Sequence, residues 1–109
     1  RRSKRLAALT TLALGLGALV TAPPAVAATR KVTVFDNFFQ PGRRVVQKGT
    51  RVRWVNQGDD RHSTTSVRGL WDSTLDPGQA FPRRFGKVGK FRYFCKFHDG
   101  MTERIKVVA

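Results

Sequence analysis

The sequence has too little cysteine for a disulfide. Its 109 residues include one cysteine, Cys95, one methionine, Met101, and two histidines, His62 and His98. A lone cysteine excludes an internal cross-link, so the thiol pairs with another molecule, stays free, or acts as a ligand. Acidic residues are scarce too, with seven Asp and Glu against 21 Lys and Arg. No carboxylate pair and no nucleophile–base set stands out, so nothing points to substrate turnover, and an enzyme is not expected. Internal repeats and low-complexity tracts are missing as well.

The first 27 residues differ in kind from the rest. Arg1-Arg2-Ser3-Lys4-Arg5 is a positive cluster, and Leu6 to Val20 is an uncharged, mostly apolar run. Pro23 and Pro24 break it, and Ala25-Val26-Ala27 has the small-x-small pattern of a cleavage site. Residues 1–27 are therefore expected to be a secretory signal peptide, and residues 28–109 a single domain. The apolar run is short for a bilayer-spanning helix of about 20 residues, so an uncleaved anchor is the lesser alternative. Arg1-Arg2 supplies only part of a twin-arginine signal, because Ser3 and Lys4 are not apolar. The expected location is outside the cytoplasm: extracellular, in the cell wall, or periplasmic. A domain this small buries only about 60% of its unfolded surface, so a bound metal would help to hold it.

Residues 28–109 lose four basic residues and no acidic one relative to the whole, which leaves a formal charge of +10. That charge suits an acidic protein, an anionic membrane or a polyanionic cell-wall surface. Nucleic acid is not expected, because exported proteins seldom meet it and the cations are spread along the chain.

The segments of this part are short and end in turn residues. Lys31–Phe35, Arg44–Gln47, Thr50–Asn56, Ser63–Val67, Phe81–Phe85, Lys90–Cys95 and Arg104–Val108 read as strands. Val52 and Trp54 alternate with Arg51 and Arg53, so one face points inward. Phe91, Tyr93 and Cys95 share a face in the same way. Pro82 restricts its strand to a sheet edge. No helical period runs for three turns. The expectation is all-β, a sandwich or barrel.

Three of the four rare residues fall in one loop, Cys95-Lys96-Phe97-His98-Asp99-Gly100-Met101. Thiolate, imidazole and thioether are soft or borderline donors that together suit copper. Two imidazoles, a thiolate and a weak axial thioether make a type 1, or blue, copper electron-transfer site. The second imidazole must come from His62, 33 residues before Cys95. Taken singly, each residue has a plainer reading: Met101 and Cys95 as core, His62 and His98 as solvated loop residues. Those readings do not explain Cys-x-x-His-x-x-Met together with one further histidine.

The chain resembles the cupredoxins, the small blue copper family of plastocyanin, pseudoazurin and amicyanin. The resemblance rests on KVTVFDNFFQPGRRVVQKGTRVRWVN, then His62, then LDPGQAFPRRFGKVGKFRYFCKFHDGM and RIKVV. The short spacing from His98 to Met101 is similar to that of amicyanin. The resemblance implies a Greek-key β-sandwich with one copper ion, cycling between Cu(I) and Cu(II), near one end. It implies His62, Cys95 and His98 as equatorial ligands, both imidazoles through Nδ1, and Met101 as the axial ligand. His98 would be the partly exposed edge through which electrons pass. Phe97 stands where many relatives carry Pro, Ser63 where Asn is common, and Lys96 where Ser or Thr is common. In that family the positions of Ser63 and Lys96 commonly brace the two ligand loops by a side-chain hydrogen bond; because an ammonium cannot accept one, Lys96 implies looser bracing.

The function expected is that of a one-electron carrier, working as a monomer with a transient acidic redox protein. The alternative is copper capture or delivery outside the membrane, with a copper donor or acceptor as partner. A basic wall-binding domain with incidental ligands ranks behind both.

Overall fold

Alternation of small apolar and charged residues generates the strands, and the structure, a computed structural model, describes residues 28–109. The signal-peptide reading of residues 1–27 lies outside the described residues. Nine strands follow in order: β1 Thr29–Phe35, β2 Phe38–Gln40, β3 Arg43–Gln47, β4 Arg51–Asn56, β5 His62–Ser66, β6 Asp72–Leu75, β7 Ala80–Arg84, β8 Gly89–Phe94 and β9 Thr102–Val108. They form a five-stranded sheet, β3-β9-β8-β5-β6, and a four-stranded sheet, β2-β1-β4-β7. β3 runs parallel to β9 and β1 parallel to β4; the other neighbours are antiparallel. The molecule is the all-β sandwich that the sequence predicts.

The inward faces close on one core. Val32 and Val34 of β1, Val52 and Trp54 of β4, and Ile105 of β9 are fully buried. Burying a side chain of this kind contributes about 1.5–3 kcal/mol. Trp54 sits at the centre, with the rings of Trp71, Phe81, Phe85 and Tyr93 around it. Arg51 and Arg53 stay exposed, and Phe91, Tyr93 and Cys95 all point inward, as their spacing requires. Pro82 lies on β7, an edge strand, paired with Arg53.

Two strands go beyond the sequence reading. β2 has three residues and buries only Phe39, so it offers no alternation to see. β6 (Asp72–Leu75) is polar except for Leu75 and is held by its register with β5. β5 begins at His62 rather than Ser63, and all five of its residues are buried although four are hydroxyl residues. That burial is affordable because the hydroxyls are partnered. Ser63 Oγ and Thr65 Oγ1 share a hydrogen bond of 2.8 Å, and Thr65 Oγ1 donates to Asp72 at 2.9 Å. Trp71 Nε1 donates to Thr64 Oγ1 at 3.0 Å.

Candidate metal centre

The sheet brings the first two candidate ligands together. β5 and β8 are antiparallel neighbours, so the start of β5, His62, meets the residue that follows β8, Cys95. Cys95 is turned inward because it continues the buried series Phe91 and Tyr93. Its loop then folds back on itself. The Cys95 N–H donates to the Met101 carbonyl at 2.9 Å, and the Met101 N–H donates to the His98 carbonyl at 3.3 Å. Gly100, with φ of 76°, supplies the left-handed step before Met101. Met101 is buried, and His98 is left at the rim.

The resulting geometry converges on one sulfur. Cys95 Sγ lies 3.7 Å from His62 Nδ1 and 3.5 Å from His98 Nδ1. The three donor atoms lie within 4.8 Å of one another, and the two imidazole rings are 4.7 Å apart. The His62 side chain is fully buried, whereas His98 keeps 24% of its side-chain surface exposed. The plainer reading of His62 as a surface loop residue is therefore overturned. One ring is sealed and the other has an edge in water.

A carboxylate fixes how His62 presents itself. Asp36, in the turn after β1, places Oδ1 2.8 Å from His62 Nε2. An ionised carboxylate only accepts, so Nε2 carries the proton and donates, and the Nδ1 lone pair faces Cys95. Asp36 is itself anchored. The Asp59 N–H reaches both its oxygens, at 3.1 and 3.0 Å, and the Asp60 N–H reaches Oδ1 at 3.1 Å. The Asp59 amide, then the His62 ring, then the Asp60 amide lower the Asp36 pKa from 3.8 to about 2. Gly58 leaves the room for this: a Cβ there would collide with the Asp36 carboxylate and meet the Asp36 backbone nitrogen at 3.0 Å. Asn56 ties the neighbouring loops, donating to the carbonyls of Asp60 and Leu75 at 2.8 Å each and accepting the Gly58 N–H at 2.9 Å.

The bracing between the ligand loops is tighter than Lys96 led us to expect. Ser63 does the work from the opposite strand. Its Oγ accepts the Lys96 backbone N–H at 2.8 Å, and its own N–H donates to Cys95 Sγ at 3.3 Å. The Lys96 ammonium turns away to Asp72, at 2.9 Å in an exposed pair. The hydroxyl at position 63 thus performs the bracing assigned to the residue after the cysteine.

The structure brings together the donor atoms of His62, Cys95 and His98 and buries Met101 in the same loop. Asp36, Asn56 and Gly58 are supporting residues that the sequence did not disclose as such, whereas Ser63 occupies one of the two bracing positions that the resemblance points to. Asp36 is 26 residues from His62, and only the β1–β4 pairing brings its turn to the metal end. Asp36→Ala is expected to weaken copper binding by about 10–100-fold, the usual cost of losing such a support. Competition with a copper chelator measures it; unchanged affinity would remove Asp36 from the site.

Charge is also unevenly placed. Asp36, Asp59, Asp60, Asp76 and Asp99 all lie in loops at the metal end, with Asp60 Oδ2 3.9 Å from His98 Nε2. The cations there, Arg61 and Lys96, are paired with Asp76 and Asp72, so the net positive charge describes mainly the sheet faces and the far end, while Asp59, Asp60 and Asp99 leave the rim of His98 acidic.

No family model matches the chain. Solved structures do. A purple cupredoxin from Nitrosopumilus maritimus is 24% identical, with 72% of this chain and 99% of that chain covered at a TM-score of 0.68. Amicyanin from Paracoccus versutus is 23% identical over 79% of this chain and 85% of its own, at a TM-score of 0.63. A copper-containing nitrite reductase from Thermus scotoductus is 25% identical over 83% of this chain but only 24% of its own, at a TM-score of 0.67. The chain thus spans about a quarter of that reductase and almost the full length of the two small proteins. Residues 28–109 have the cupredoxin fold.

Proposed function

We propose that the protein is a one-electron carrier with a single type 1 copper ion held by His62, Cys95, His98 and Met101. One observation carries this reading: a buried thiol stands between two imidazole Nδ1 atoms, at 3.7 and 3.5 Å. The donor set fits copper, because a thioether beside thiolate and imidazole favours a soft ion. Copper, when bound, supplies the Cu(II)/Cu(I) couple.

The protein's own residues do the rest. Asp36 and Ser63 hold His62 and Cys95 in place, which limits rearrangement on oxidation or reduction. His62, Cys95 and Met101 are all buried, which keeps water from them. The exposed edge of His98 is the route to a partner. No open position remains for a substrate once four ligands are engaged, which supports a carrier rather than an enzyme. The acidic rim around His98 favours a redox partner that is cationic at the point of contact, in place of the acidic partner that the net charge led us to expect. Residues 1–27 support a working location outside the cytoplasm.

A redox titration of the copper-loaded domain tests the proposal. It should give a reversible one-electron couple, with copper retained in both states. Rapid loss of Cu(I) to a competing chelator would instead assign the protein to copper delivery. Met101→Gln should keep the metal but shift both potential and colour, because a thioether at position 101 would tune the metal more than hold it. Complete loss of copper in that variant would make Met101 a structural ligand.

A further inference from the structure

The end of the sandwich away from the metal has a different character. β8 runs from Gly89 to Phe94, so its first residue lies about 20 Å from Cys95 at 3.3 Å per residue. Beside that end, the loops 67–71 and 85–89 line one depression, in which Leu70 and Val88 face Arg68, Arg83, Lys87 and Lys90. Leu70 is 46% and Val88 57% exposed, and Val67 on the same loop is 61% exposed. Among the described residues, no ion pair engages Arg68, Arg83, Lys87 or Lys90. Arg68 instead lies over the ring of Phe91, and the half-buried Arg83 over those of Trp71 and Phe85.

Aliphatic side chains on two loop tips within a ring of unpaired cations match a surface with an apolar interior and anionic headgroups. A soluble polyanion would use the cations and leave Leu70 and Val88 in water.

We propose that the Leu70/Val88 end docks the domain on an anionic lipid bilayer, with the metal end turned away toward the aqueous phase. Leu70 and Val88 enter the headgroup region, and Arg68, Lys87 and Lys90 meet the lipid phosphates. His98 is then presented to partners moving along or above the surface.

The test uses the metal-free domain of residues 28–109, whose described sheets and core are complete without the upstream segment, so its outcome is independent of copper chemistry. Co-sedimentation is measured with vesicles of phosphatidylcholine alone and of phosphatidylcholine mixed with phosphatidylglycerol. Binding is expected only to the mixed vesicles. The double variant Leu70→Ser and Val88→Ser keeps the charge and removes the apolar tips. It should bind at least about tenfold more weakly. Lys87→Gln with Lys90→Gln should also weaken binding and reduce its dependence on salt. Both pairs are exposed, and circular dichroism checks that each variant stays folded. Undiminished binding by the serine variant would overturn the proposal. So would binding to soluble polyphosphate without binding to vesicles, which would make this end a polyanion site.

Discussion

Cys95→Ser should abolish the intense visible absorption of the copper-loaded protein and leave the fold in place. The thiolate is the source of the charge-transfer band, and a hydroxyl of similar size cannot replace it. The sulfur is also the point on which the site converges, since both Nδ1 atoms face it. Copper affinity should fall by at least about 100-fold, beyond the upper end of what losing an outer support costs. Fold retention follows from the surroundings. Cys95 lies at the top of the core, and its backbone N–H bond to Met101 does not depend on the side chain. Visible absorption and chelator competition measure the two effects separately. A variant that keeps the band would refute the ligand assignment outright.

The largest effect on stability is expected from Trp54→Ala. The indole is fully buried and meets four other aromatic rings, at centroid distances of 5.4 to 6.2 Å. Emptying such a site costs about 3–5 kcal/mol, from lost transfer energy and the cavity left behind. A domain of this size has about 5–15 kcal/mol in total, so the variant should sit close to unfolding. Its thermal midpoint should drop by more than about 10 °C. Loosening should reach the metal end as well, because β4 carries Trp54 and ends at Asn56, which ties the loops around Asp36 and Leu75. Urea denaturation of the metal-free protein gives the number. A loss below about 1 kcal/mol would mean that the aromatic cluster is not the centre of the core.

How much of this was legible in the sequence depends on the kind of signal each element leaves. β4 and β8 alternate cleanly, and their inward faces are those that Val52, Trp54, Phe91, Tyr93 and Cys95 announce. Pro82 marked an edge strand because it cannot donate to a ladder. β5 left no alternation, since every residue in it is buried and its hydroxyls are satisfied by tertiary hydrogen bonds. β2 and β6 are too short or too polar to signal themselves and are set by their neighbours' register.

The candidate ligands were legible for a reason of economy: the rare donor types are few, and three sit in one loop. Their supports were not. Aspartate, serine, asparagine and glycine are common surface residues. What makes Asp36 special is its distance to His62 in space, and Ser63 was marked only through the resemblance, not by its residue type. The same limit applies to charge. Composition gave a net positive protein, but only the fold separates an acidic metal end from a basic opposite end.

The most direct measurement is a titration of residues 28–109 with Cu(II), followed by visible absorption. An intense thiolate-to-copper band that saturates at one copper per chain is the predicted result. It would place Cys95 on the metal in a single site, as the convergence of His62, Cys95 and His98 requires. Absence of the band, with the Cys95 thiol still free or oxidised, would contradict the copper assignment and the electron-carrier reading built on it.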